Sequence, residues 1–169
     1  MKHNVTKKQP NSKMCLVCGL KNPFGLQAGF YELDNGELMA QFTPQAEHQG
    51  YPGRLHGGIA TAILDETIGR AIMLTYAEDI WGVTVDLNIR FKKPIPLDGP
   101  VRVRSRITKD ANRYFEGTGE IVLANGKVAV EGWGKYVKLP LEKITDFDVQ
   151  AQEWRVSPQG NDPQEIEWA

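Results

Sequence analysis

The sequence predicts an α+β fold in which one long central helix is wrapped by a mostly antiparallel sheet of five to six strands. Three observations lead there. Helical spacing of apolar residues occurs in a single long stretch, His56 to Ala77, with Ile59, Ala62, Ile63, Ile72 and Met73 on it. Two-residue periodicity dominates elsewhere, and the pairs Asn35-Gly36 and Asn125-Gly126 supply the residues of tight hairpin turns rather than crossovers. A sheet of hairpins buries one face, and a single helix must cover it.

Taken in order, residues 1–22 read as an N-terminal tail followed by a Cys-x-x-Cys turn, with order beginning near Leu26. Leu26 to Leu33 alternates, Asn35-Gly36 turns the chain, and Leu38, Ala40 and Phe42 continue on one face. Pro44 to Arg54 is a polar loop leading to the helix. Val83, Val85, Leu87, Ile89 and Phe91 then alternate until Pro94-Ile95-Pro96, Val101 to Ile107 forms the next strand, and Tyr114 to Val137 forms another hairpin. Residues 23–140 constitute the folded domain. Residues 141–169 are an acidic, irregular extension in which Trp154, Ile166 and Trp168 predict some docking.

The chain has 169 residues, 41% of them apolar, enough for one sizeable core. Twenty basic and twenty-one acidic residues leave a net charge of -1, without the basic excess that phosphate-backbone binding requires, so nucleic acid is not an expected partner. The longest apolar region, Ile59 to Leu74, is broken by Asp65, Glu66 and Arg70, which predicts no membrane partner. Two cysteines suit a reducing compartment and a cytoplasmic location.

The chemistry-bearing residues cluster around the helix. Leu55-His56-Gly57-Gly58 offers no Ser, Thr, Asp or Asn cap, and two glycines there admit close approach of a ligand to free N–H groups that polarise a carbonyl. Tight helix–sheet packing accounts for the glycines equally well. Asp65 lies on an otherwise apolar helical face, where a carboxylate serves as a general base or nucleophile, whereas Glu66 is explained by an i, i+4 ion pair with Arg70 on the solvated side. Gly57 and Asp65 are eight residues apart, about 12 Å of helical rise, too far to act on one carbonyl. A two-fold dimer brings one helix start to the middle of the partner's helix.

The string His48-Gln49-Gly50-Tyr51-Pro52-Gly53-Arg54-Leu55-His56-Gly57-Gly58, with Leu64-Asp65-Glu66 and Gly82 to Phe91 followed by Pro94, resembles the hotdog-fold acyl-CoA thioesterases of the PaaI-like group. The Cys15 to Leu26 segment resembles its Cys-x-x-Cys-Gly subgroup. The resemblance implies hydrolysis of an acyl-CoA or related thioester by a homo-oligomer, a dimer or a dimer of dimers, without a cofactor. It implies a Gly57 amide donating to the thioester carbonyl, His56 supporting that end of the helix, Asp65 as base or nucleophile, and Thr84 helping to hold water. Relatives carry Asn or Gln in the loop before the histidine; here Gly50 stands in that place with Gln49 beside it.

Substrate-binding candidates are Gly58, Gln49, His48, Lys92, Lys93, Arg102 and Arg104. Arg102, Arg104 and Arg106 share one strand face and suit the phosphates of coenzyme A, although an Arg-decorated strand that discourages edge pairing is the plainer explanation. Cys15 and Cys18 are half of a zinc site completed elsewhere, a redox pair, or two small hydrophobes at a turn; no metal is expected. Two other functions stay open on the same fold. One is hydration or dehydration of an acyl thioester with a His48–Asp65 pair, and the other is non-catalytic acyl-CoA binding.

Overall fold

The computed structural model describes residues 1–168. Eight strands form one antiparallel sheet: β1 (Lys2–Lys8), β2 (Gly29–Leu33), β3 (Leu38–Phe42), β4 (Trp81–Phe91), β5 (Val101–Asp110), β6 (Tyr114–Val122), β7 (Val128–Leu139) and β8 (Glu165–Glu167). Their order is β4-β7-β6-β5-β3-β2-β1-β8. The helix α1 (Gly57–Arg70) packs on one face of the sheet, and a short helix α2 (Met73–Tyr76) follows it after a break at Ala71–Ile72.

The expected five to six strands become eight because both chain ends join the sheet. Residues 2–8 are an ordered strand rather than a loose tail: Val5 pairs with Leu33, while Lys2, His3 and Asn4 pair with Glu167, Ile166 and Glu165. Only Val5 in Lys2–Lys8 is aliphatic, so no alternation marks this strand in the sequence. Its order comes from long-range ladder bonds and from Ile166, which is 1% exposed against Tyr31, Leu33 and Met39.

The helix lies close to the sheet because β6 carries glycine where α1 crosses it. A Cβ at Gly117 or Gly119 would stand 2.8 or 2.9 Å from Ile68, nearer than carbon atoms approach. Ile63, Leu64, Ile68 and Ile72, all fully buried, therefore seat against Phe115, Ile121 and Val130, which fixes the depth at which Asp65 sits. At the sheet's end β4 is unpaired on one side and presents Val85 and Phe91, each 56% exposed. Thr84 and Asp86 flank a bulge in its pairing with β7.

Candidate functional site

Asp65 is half-buried in the middle of α1, and two neighbours hold one of its oxygens. Thr84 on β4 donates its hydroxyl to Oδ1 at 2.8 Å, and Tyr136 on β7 donates to Oδ1 and to the Asp65 carbonyl, both at 3.1 Å. Oδ2 accepts no hydrogen bond among the described residues. Burial first, and then the Asp65 carboxylate, push the Tyr136 hydroxyl well above its ordinary range, so it stays protonated and acts as a donor. This fixes the carboxylate while leaving an oxygen to accept a proton or attack. The acid lines a cavity of about 560 Å³ with Trp81, Thr84, Tyr136, Phe147 and Trp154.

At the start of α1, His56 takes the place of the usual Ser, Thr, Asp or Asn cap. Its backbone is extended and its Nδ1 accepts the Gly58 amide at 2.9 Å. The Gly58 amide is thereby occupied, whereas the Gly57 amide has no partner among the described residues. A Cβ at Gly57 would meet only the Phe91 ring, at an ordinary 3.5 Å, so packing does not demand glycine there. Gly57 lines a second cavity, about 360 Å³, with Tyr51, Arg54, Phe91, Lys92 and Lys93.

The structure thus separates the expected residues into two groups on one chain: Asp65 with Thr84, and Gly57 with Lys92 and Lys93. His48 joins neither, being 2% exposed. Its Nδ1 accepts the Gln45 amide at 3.0 Å, which leaves Nε2 to donate to the Phe24 carbonyl at 2.9 Å. Both nitrogens hold the loop, which removes the base that hydratase chemistry would have required. Gln49 accepts the Gly53 amide through Oε1 at 2.8 Å. At Gly50 a Cβ would stand 3.1 Å from the His56 Cα, so a side chain in that place would press on the cap.

The basic strand sits elsewhere. Arg102 donates to Gln41, Arg104 pairs with Glu120 at 2.7 Å, and Arg106 pairs with Glu37 at 3.4 Å, none of them lining the Gly57 cavity. Cross-strand glutamates offset the charges of Arg104 and Arg106, while Arg102 rests on the neutral Gln41 amide. Lys92 is paired with Glu131, while Lys93 and Arg54 have no carboxylate partner among the described residues. Arg54 escaped the sequence reading because it lies outside any periodic element.

Comparison with known proteins now bears on this arrangement. A family profile described as "Thioesterase superfamily" matches residues 52–130. Residues 52–130 belong to the thioesterase superfamily. That thioesterase-superfamily domain has the hotdog fold, one helix against a large antiparallel sheet. Acyl-coenzyme A thioesterase THEM4 of Rattus norvegicus is 38% identical over 86 residues, 51% of this chain and 36% of that protein. The THEM4 protein of Mus musculus is 32% identical over 117 residues, 69% of this chain and 49% of that protein. The chain spans about a third to a half of the length of these curated relatives. A crystal structure of a thioesterase superfamily protein, RHA08564, superposes with a TM-score of 0.67 at 28% identity, covering 73% of this chain and 59% of the other. The PaaI protein of E. coli shares the fold, with a TM-score of 0.60 at 18% identity over 68% of this chain and 80% of that one.

Besides Tyr136, two parts of the wall around the thioesterase-superfamily domain's acid cavity come from outside residues 52–130. Ser12, Cys15 and Cys18 line one side, and Thr145, Phe147, Gln152 and Trp154 line another. Trp154 packs against Trp81 with ring centroids 4.7 Å apart and the planes tilted by 43°, and donates its indole N–H to Glu78 at 2.7 Å. Tyr136 was also missed by sequence reasoning: strand alternation gives the face on which it lies, but no local signal pairs it with an acid seventy-one residues away. No helix among the described residues is long and apolar enough to cross a membrane.

Proposed function

We propose that the protein hydrolyses an acyl-CoA or related thioester to the free acid and a thiol, in a dimer whose two sites each draw on both chains. The supporting observation is the split itself. One helix carries an unpartnered amide at its start and an oriented carboxylate at its middle, in separate cavities, and both cavities open along the unpaired strand β4. Phe91 stands over Gly57 and Thr84 touches Asp65, so β4 runs past both half-sites. Antiparallel pairing of two β4 edges about an axis between Leu87 and Asn88 sets Thr84 of one copy opposite Phe91 of the other. The Gly57 amide of one copy then polarises the thioester carbonyl, and Asp65 of the other activates water or attacks to form an acyl anhydride.

Lys93, Lys92 and Arg54 surround the amide half, where the nucleotide end of a CoA ester meets positive charge. The aromatic wall of the acid half receives the acyl group. The THEM4 relatives bear the name acyl-coenzyme A thioesterase, which supports this substrate class.

The test mixes two inactive parents, Asp65→Asn and Gly57→Pro, by unfolding and refolding them together. Proline is tolerated in a first helical turn and removes the donor N–H. A hybrid dimer has one site with both defects and one with neither, so random pairing restores about a quarter of wild-type sites, read as thiol release from a panel of acyl-CoA esters. If both parents fold and hybrids form without activity, the shared site is wrong. If the wild type releases no thiol from any ester, hydrolysis itself is wrong.

A further inference from the structure

Beside the acid cavity the structure brings together three metal-ligating atoms that the proposed hydrolysis does not use. The Cys15 and Cys18 thiols and a Glu66 carboxylate oxygen all lie within 4.8 Å of one another. Cys15 and Cys18 sit on a turn of the N-terminal segment, and Glu66 reaches them from α1, fifty-one residues from Cys15. Glu66 does form the expected pair with Arg70, at 2.8 Å, but not on the solvated side: the Arg70 side chain is 6% exposed and that of Glu66 22%. Arg70 engages only Oε1, which leaves Oε2 turned to the sulfurs, 3.4 Å from Cys15 Sγ.

We propose that Cys15, Cys18 and Glu66 bind a zinc ion that fastens the N-terminal segment to the middle of α1, one residue from Asp65. Tetrahedral zinc, with bonds of about 2.3 Å to sulfur and about 2.1 Å to oxygen, spaces its ligand atoms about 3.5–3.8 Å apart. The Cys15–Glu66 separation already approaches that spacing. The Cys15 thiol donates to Glu66 Oε2, and the amides of Val17 and Cys18 donate to Cys15 Sγ at 3.3 and 3.4 Å, donors that stabilise the thiolate once a metal ion displaces the thiol proton. The turn is tight enough that a Cβ at Gly19 would stand 2.4 Å from the Cys15 carbonyl oxygen, so the chain has no room for a side chain after the second cysteine.

Charge closes as well: two thiolates and one carboxylate balance the divalent ion together with the Arg70 guanidinium, whose other donor is fixed on the Pro10 carbonyl at 2.8 Å. Binding forms three coordinate bonds and expels the remaining thiol protons to solvent. The fourth position goes to water from the cavity, or to Ser12, whose Oγ is 3.2 Å from Cys18 Sγ. Sulfur-rich donor sets favour zinc over magnesium or calcium. Nothing in this site depends on the thioester reading.

The experiment titrates reduced, metal-free protein with cobalt(II) under anaerobic conditions and then displaces it with zinc. The expected result is one ion per chain, a sulfur-to-cobalt charge-transfer band, the visible bands of a tetrahedral ion, and a rise in melting temperature on adding zinc. Glu66→Gln should weaken zinc by about tenfold or more, and Cys15→Ser should remove the charge-transfer intensity of one thiolate. Wild-type protein that takes up no cobalt, or binds it without a sulfur band, overturns the proposal. So does a folded Glu66→Gln variant with unchanged affinity. The wild-type titration decides the matter even where a variant fails to fold.

Discussion

Thr84 and Tyr136 order Asp65 through one carboxylate oxygen and leave the other unengaged among the described residues. Asp65→Asn keeps the hydrogen-bonding shape but can neither take a proton nor attack, so kcat for thioester hydrolysis should fall by on the order of a hundredfold or more with an unchanged far-UV spectrum. Tyr136→Phe removes one charge-assisted donor, and kcat should fall by about tenfold with little change in KM. Wild-type kcat in Tyr136→Phe would show that Thr84 alone suffices to orient the acid. Asp65 and Gly57 were singled out in the sequence because each breaks a local rule: a charge on an apolar helical face, and glycines where a helix starts. Tyr136, Arg54 and the use of Glu66 were not, because their meaning lies in contacts that span the chain.

At the scale of elements, α1 and β4 carry the proposed site between them, and each suggests a test. Gly119→Val places a branched side chain into Ile68 and Leu64, which should cost about 1–3 kcal/mol in denaturant unfolding and lower activity in the folded fraction, since the helix that carries Asp65 must move off the sheet. Val85→Lys puts a charge on the exposed apolar edge of β4 while leaving α1 untouched. Dimer dissociation, followed by sedimentation, should increase by about tenfold or more, with activity lost in proportion. The central strands and both hairpins were legible because Asn-Gly turns and alternation are local signals. The breaks were less so: the expected helix from His56 to Ala77 ends at Arg70, and the bulge at Thr84 leaves no mark on the pattern of β4.

Across the whole molecule, the C-terminal segment is bound back onto the domain. Asp162 accepts from Lys8 and Tyr31, each at 2.7 Å, and from the Gln159 amide at 2.7 Å. Desolvation raises its carboxyl, but the hydrogen bonds of the Gln159 amide, Lys8 and Tyr31 outweigh that and hold it below the ordinary 3.8. A lowered carboxyl stabilises fully above its unfolded value and loses that contribution as pH falls through the folded one. Loosening of residues 141–168, read as Trp154 and Trp168 fluorescence, should therefore begin below about pH 4. Asp162→Asn should already be looser at neutral pH and lack this acid transition. Trp154→Ala opens the acid cavity, and KM for esters with bulky acyl groups should rise by about tenfold while short acyl esters change less. The docking of Trp154 and Ile166 was foreseen from their apolar character. The strand Lys2–Lys8 was not, since its partners lie at Leu33 and Glu167 and its own residues are mostly polar.

The two borders of the sheet are unequal. One is β4, eleven residues long with apolar side chains exposed, and the other is β8, only three residues, beginning with Glu165 and ending with Glu167 and tied to Lys2. A sheet with two long free borders propagates, each added copy offering another border, and the end point is a fibril. Here the second border is too short and too acidic to receive a copy of the first. In the proposed dimer, pairing through β4 uses up the one extended border that each chain has, so strand addition terminates at two chains.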